Sequence, residues 1–361
     1  MKIIKRACFA LLMIVVGAWL IALIHLNFSQ HEYAEITSEQ LADAKDYLGS
    51  QITKTPVEFR WQDFRTKAGV ILRTGLLENT QAKGTVVVVP GFTGSIEMIM
   101  REITQIHAAG FRVAAIEYRG QGLSHRPLSN HPEKGYVEDY ALLANEIGQY
   151  ANSVRDPDLP LYFFSISKGA HITMRMAAEE QVDVDAYALV VPMIQINSGD
   201  IAYDTLEIVA SWVTKIGLGS LYTPGASAWP GEELVFGKAG PCNSNPATAQ
   251  AQSALFAINE NLRTRGVTFK WLHETTKSSK KLLMPEFVSN ITQPVKIYTA
   301  GIDALVNTEK AQQFCDSLDS CEVEHFSDAR HCITRENYEL YDTIVQDAIE
   351  HFEHNLIRVK S

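Results

Sequence analysis

The stretch Leu161-Tyr-Phe-Phe-Ser-Ile-Ser-Lys-Gly-Ala170 decides the fold. Leu161 to Phe164 are apolar and mostly aromatic, which reads as a short buried strand. Ser165-Ile166-Ser167-Lys168-Gly169 then turns sharply, and Ala170 to Glu180 reads as a helix. A serine at the apex of a strand–turn–helix has the geometry of a nucleophile elbow. Strand and helix nearly touch in such a turn, so the residues two before and two after the serine must be small. Gly169 meets this requirement fully and Ser165 less well. Alone, a serine–glycine turn is ordinary punctuation, so the reading depends on partners elsewhere in the chain.

Working outward, strands and helices alternate. Val57–Trp61 and Val70–Leu77 read as strands joined by a turn at Lys67-Ala68-Gly69. Thr85–Pro90 is a β-branched run of the kind buried on both faces of a parallel sheet. A helix to about Ala109, a strand over Phe111–Glu117, a glycine-rich loop, a helix over Asp139–Asn152, the elbow and a strand over Asp185–Pro192 follow. This order predicts an α/β fold with right-handed crossovers and a mostly parallel, doubly wound sheet. The alternation stops from about 195 to 286, where Gly, Pro, Ser and Asn cluster between helical stretches. That segment reads as a helical cap insertion. Alternation resumes with a strand over Pro294–Ala300, a helix over Thr308–Leu318, a strand over Cys321–Phe326 and a closing helix over Asn337–Phe352.

In a doubly wound sheet the loops at the carboxyl ends of the strands share one edge, where ligands bind. Ser167, Asp303 and His331 all fall on such loops, in the order of α/β-hydrolase triads. A serine hydroxyl needs a base to act as nucleophile. His331 can supply one, and Asp303 can fix its tautomer and stabilise the imidazolium. The backbone N–H groups of Lys168 and Phe92 are the expected oxyanion donors, with Gly91 letting the chain approach the substrate. Among the 11 histidines, His171 lies in a helix and His325 on a strand, so both are worse placed. Asp328, close to His331 in sequence, is the competing acid. Trp212, Trp229 and Trp271 lie in the cap, either filling its own core or lining a slot for an acyl chain.

The remaining features bound the setting. Hydrophobic residues make up 46% of the 361 and charged ones 20%, an ordinary globular composition, with a net charge of −10. An acidic body argues against nucleic acid as partner. There is no C-x-x-C and no histidine cluster at metal spacing, so no metal or cofactor is expected. Cys315 and Cys321 are close enough in sequence to pair. After Lys2, Lys5 and Arg6, the run Ala7–Ile24 holds no polar side chain. As a helix it would span roughly 27 Å, near the thickness of a bilayer core. Its length favours an uncleaved anchor over a cleaved signal segment. Basic residues before it would keep the N-terminus in the cytoplasm. The expected organisation is an anchor or signal segment over 1–26, a tether and leading helix over 27–55, and a hydrolase domain over 56–361. The expected location is the inner membrane, single-pass, with the hydrolase domain exported to the periplasmic side.

The chain resembles the α/β-hydrolase family that contains monoacylglycerol lipases and bacterial inner-membrane lysophospholipases, and is most similar to the latter. The resemblance rests on Val89-Pro90-Gly91-Phe92, Tyr118-Arg119-Gly120-Gln121-Gly122-Leu123-Ser124, Gly135-Tyr-Val-Glu-Asp-Tyr140, Arg265-Gly-Val-Thr-Phe-Lys-Trp271, Asp303 and Ala329-Arg330-His331. It runs from about residue 60 to the C-terminus. In the elbow this chain departs from the family, which has Gly or Ala at the place of Ser165, His at Ile166 and Met-Gly at Lys168-Gly169. The resemblance implies an α/β-hydrolase fold and a lysophospholipid or other monoacyl lipid as substrate. The residues alone imply acyl transfer to water. The alternatives are a monoacylglycerol lipase or general carboxylesterase, a serine aminopeptidase, and a hydrolase-fold binding protein without activity.

Overall fold

The computed structural model describes residues 2–29, 31–51, 54–231, 238–240 and 242–359. In chain order these form α1 (Lys2–Phe28), α2 (Ser38–Gln51), β1 (Arg60–Arg65), β2 (Ile71–Leu77), β3 (Thr85–Val89), α3 (Met100–Ala108), β4 (Arg112–Ile116), α4 (Tyr140–Val154), β5 (Leu161–Ile166), α5 (Lys168–Ala178) and β6 (Ala186–Val190). Then come α6 (Tyr203–Val213), α7 (Ala251–Ile258), α8 (Phe269–Leu282), α9 (Pro285–Val288), β7 (Val295–Ile302), α10 (Thr308–Cys315), β8 (Cys321–Arg330) and α11 (Tyr338–Val359).

The strands make one 8-stranded sheet in the order β1-β2-β4-β3-β5-β6-β7-β8. β2 pairs antiparallel with β1 and with β4, and every pairing from β4 to β8 is parallel. This is the α/β-hydrolase fold, as expected. The continuous apolar strands are explained by burial on both faces. Val87, Val89 and Phe163 enter one core with Tyr140 and Leu143 of α4 and Ile172 and Met176 of α5. Val86, Val88, Tyr162 and Phe164 enter the other, with Ile103 of α3 and Ile344 and Phe352 of α11. Successive residues of a strand point to opposite faces, so one run of sequence loads two cores.

The helices of the insertion, α6 to α9, lie between β6 and β7 as the composition predicts. A satellite cluster joins Trp229 and Leu262 to Ala254 and Phe256 of α7 and to Ala44 and Leu48 of α2. The leading helix is thus packed into the cap's own core.

Three expectations change. The first strand runs over Arg60–Arg65, not Val57–Trp61. A turn closed by Phe59 N–H donating to Pro56 O (3.1 Å) occupies the start of that stretch, and Val57 is 99% exposed. The hairpin pairs Arg60 with Leu76 and Arg65 with Ile71, which sets the register around the Lys67–Gly69 turn. Among the described residues no helix is long and apolar enough to cross a membrane. This overturns the expected single-pass anchor and, with it, the inner-membrane location and the exported orientation. α1 lies against the cap: Trp19 Nε1 donates to Ile216 O (2.9 Å), and Leu23 packs over Gly217. Third, Cys315 pairs with Cys321, but a second disulfide joins Cys242 of the cap to Cys332. A separation of 90 residues hid this partner from sequence reasoning.

The elbow depends on one close approach. A Cβ on Gly169 would lie 2.4 Å from Pro90 O and 2.6 Å from Val89 O, both backbone atoms that cannot swing aside. Gly169→Ala should therefore destabilise the fold by about 1–3 kcal/mol, the usual cost of overpacking. Chemical denaturation checks this, and an unchanged midpoint would show that α5 can move away from β3 freely.

Candidate active site

The chain enters the elbow from β5 and leaves it as α5, and the apex residue Ser167 takes φ 50°, ψ −113°. A non-glycine residue at positive φ is strained, and it persists only where its surroundings hold it. Here Ser167 N–H donates to Val190 O (2.9 Å), and Ser167 O accepts from His171 N–H and Met193 N–H (both 3.1 Å). Ser165, at the less small of the two flanking positions, is fully buried and tied through Oγ to Thr173 Oγ1 (2.9 Å). A hydroxymethyl group is accommodated there because Thr173 satisfies it.

Ser167, Asp303 and His331 come together. His331 Nε2 lies 2.9 Å from Ser167 Oγ, and His331 Nδ1 lies 2.6 Å from Asp303 Oδ2. Asp303 Oδ1 accepts from the N–H groups of Leu305 (2.8 Å) and Val306 (2.9 Å). Its side chain is only 1% exposed. Both oxygens are thus engaged, which holds the carboxylate in one orientation toward the imidazole. Asp303 follows the last residue of β7, where a Cβ on Gly301 would fall 2.2 Å from Ser327 O. The β7–β8 register shifts between Ala300 and Ile302 at this point, and that irregularity turns the chain toward the site.

The competitors lie elsewhere. Asp328 is exposed on β8. His325 Nδ1 pairs with Thr299 Oγ1 (3.0 Å). His171 is fully buried between Met193 O and Ser278 Oγ (both 2.7 Å), and burial pushes its imidazole down to about 3. It is a neutral structural histidine near neutral pH.

The two expected oxyanion donors, Phe92 and Lys168, stand on adjoining segments. Neither N–H is engaged with a protein acceptor among the described residues. The segment after Phe92 is fixed by side chains that sequence reasoning passed over. Thr93, at φ 64°, donates its N–H to Gln121 Oε1 (2.6 Å). Gln252 of α7 donates to Thr93 O (2.6 Å). Gln121 belongs to the glycine-rich loop singled out in the sequence, and that motif was the available signal for it. Gln252 had none.

The cap tryptophans separate. Trp271 is buried with its ring 5.5 Å from that of Phe92, beside the site. Trp229 packs on Phe256 in the satellite cluster and under Arg263. Trp212 is 64% exposed on α6. The loop carrying His331 is fastened to the cap. Cys332 forms the disulfide with Cys242 and donates its N–H to Cys242 O (2.8 Å), and Arg330 Nη1 donates to Gly240 O (2.6 Å).

The geometry assigns different consequences to two aspartates. Asp303→Asn should keep the shape but present the wrong hydrogen-bonding partner to His331, lowering kcat on the order of 10⁴-fold. Asp328→Asn should change it by less than about 2-fold, as for a surface substitution away from the site. Steady-state kinetics on a short ester separates them, and the reverse pattern would move the acid to Asp328.

No curated protein sequence matches the chain at a significant level. Its structure is similar to a monoglyceride lipase from Saccharomyces cerevisiae, solved as a soluble variant with a substrate analogue. The TM-score is 0.64 at 16% identity, covering 84% of this chain and 97% of that one. It is also similar to a thermostable carboxyl esterase from Bacillus coagulans (TM-score 0.63, 15% identity, 83% and 100% covered). A third similar structure is a monoacylglycerol lipase from Paleococcus ferrophilus (TM-score 0.59, 16% identity, 78% and 99% covered). At these identities the likeness is one of fold. A family model described as serine aminopeptidase, S33, matches residues 80–338, well over half of the chain, and the chain belongs to that hydrolase family.

Proposed function

We propose that the chain is a serine hydrolase cleaving carboxylic esters of monoacyl lipids, with lysophospholipids as the preferred class. The observation that carries the reading is the unbroken relay from Ser167 Oγ through His331 to Asp303, at 2.9 and 2.6 Å. In this reading His331 Nε2 takes the proton as Ser167 Oγ attacks the ester carbonyl. The N–H groups of Phe92 and Lys168 stabilise the tetrahedral oxyanion. His331 then passes the proton to the leaving alcohol oxygen, leaving an acyl-serine. Water attacks the acyl-serine with His331 again as base, releasing the fatty acid and restoring Ser167.

Charge supports an ester over a peptide amine as the bound group. An aminopeptidase must accept a protonated α-amine beside the scissile bond. Here Asp303 is already engaged by His331, Leu305 and Val306, and the residue next to Ser167 is a buried lysine. The structural neighbours support the monoacyl lipid class, since two are lipases of monoglycerides. They favour a monoacylglycerol as the second reading. Of the cap tryptophans, the position of Trp271 against Phe92 supports a role in seating the acyl chain.

Two experiments test this. A fluorophosphonate probe should label the wild-type protein at Ser167 and fail to label Ser167→Ala, and labelling of a folded Ser167→Ala would move the nucleophile. The second compares lysophospholipids, monoacylglycerols and short p-nitrophenyl esters for wild type and Trp271→Ala. Loss of an apolar contact at roughly 0.8 kcal/mol per CH₂ predicts a fall in kcat/KM of about 10-fold for long chains and less for short ones. Equal losses on both would make Trp271 purely structural. Faster turnover of monoacylglycerols than of lysophospholipids would favour the second reading.

A further inference from the structure

Lys168 is the residue after Ser167 and opens α5. Its side chain is fully buried, and Nζ has no hydrogen-bond partner among the described residues. It is surrounded by aromatic faces, with ring centres of Tyr118 at 4.9 Å, Phe92 at 5.4 Å and Tyr140 at 5.9 Å. As packing this is a poor choice. A cation at a helix N-terminus opposes the helix dipole. A buried charge without a carboxylate is costly. An unbranched apolar side chain of the same length would fill the space without either cost. A local conflict of this kind at the edge of a catalytic centre points to a functional compensation.

We infer that the Lys168 ammonium is a positioning residue for the oxyanion site, holding the Phe92 segment against the start of α5 through the Phe92 ring and so setting the spacing of the two backbone donors. The inference rests on the serine-hydrolase reading above. The cation and the ring belong to the two residues whose N–H groups must converge on one oxygen. A cation over an aromatic face, away from water, is attracted strongly enough to fix such a pair. The positive charge also adds to the field that the α5 N-terminus presents to a developing oxyanion.

Among the described residues, the groups that face Lys168 closely carry no negative charge near neutral pH. Tyr118 and Tyr140 are phenols pushed well up by burial, and His171 on α5 is neutral. Farther out are Arg175 on α5 and Glu274 on α8, the latter paired with Lys270 and Lys277. Across Ser167 stands the Asp303–His331 pair. Burial alone pushes the Lys168 amine down to about 7. The seated ammonium therefore dominates below about pH 7 and is lost as pH rises through that value. Between there and the ordinary value of 10.5 the folded protein binds fewer protons than the unfolded chain. Stability then rises with pH across that window, and the burial penalty is full below it.

The test compares wild type with Lys168→Met, using the rate of fluorophosphonate labelling of Ser167, ester kinetics and thermal unfolding across the neutral range. At a pH about one unit below 7, Lys168→Met should lower kcat and labelling rate on the order of 10-fold with KM within about 2-fold. The wild-type rate should fall as pH rises through about 7, and the variant should lack that limb. The variant should also melt higher than wild type on the acid side, with the gap closing toward alkaline pH. Unchanged labelling and an unchanged pH profile would overturn the inference while leaving Ser167 as nucleophile. A variant that melts lower at all pH values would overturn it too, as a space-filling role. Failure of the probe to label wild type would remove the serine-hydrolase reading itself, and the inference with it.

Discussion

The constraint that shapes the site is the backbone contact between α5 and the end of β3 at Gly169, where even a methyl group would overlap the carbonyls of Val89 and Pro90. That contact leaves the intervening chain too short for a relaxed turn, so Ser167 is held at positive φ. The strain points Oγ out of the sheet edge, and it is offset by the bond Ser167 N–H donates to Val190 O and those its carbonyl accepts from His171 and Met193 N–H. The same contact brings Phe92, at the end of the β3 segment, beside Lys168, at the start of α5. One steric requirement thus places the candidate nucleophile and both candidate oxyanion donors.

Much of this was legible in the sequence because the relevant signals are local and strong. The β-branched run Thr85–Val89 and the aromatic run Leu161–Phe164 became the two central strands, since only burial on both faces suits so many consecutive apolar side chains. Ser167, Asp303 and His331 were found by residue type, order and position at strand ends, and the structure brings these three together. Their distances could not be read in advance, because they depend on the irregularity at Gly301 and on how the β8–α11 loop returns.

What escaped was carried by contacts between distant segments. The apolar run Ala7–Ile24 has the composition of an anchor, and composition does not record Trp19 and Leu23 against Ile216 and Gly217 of the cap. The Cys242–Cys332 bridge spans 90 residues and could not be chosen among the possible pairings. The cap tryptophans looked equivalent in sequence. Their placement differs because Trp229 meets α2 and α7, Trp212 faces outward, and only Trp271 sits on the helix that reaches Phe92.

The cap is joined to the catalytic edge at both ends of the relay. On the oxyanion side, Gln252 of α7 holds Thr93, next to Phe92. On the histidine side, Cys242, Gly240 and Asn243 bind Cys332, Arg330 and Arg335, flanking His331. α2, packed on α7, adds a third attachment from the leading segment. A cap fixed at these points cannot shift far without moving Phe92 or His331 by a comparable amount. Misplacing reacting groups by about 1 Å can cost on the order of 10²-fold in rate. Whatever seats a substrate under this cap is therefore mechanically tied to the alignment of Ser167, His331 and the candidate oxyanion donors. Substitutions in the cap should be expected to act on kcat as well as on binding.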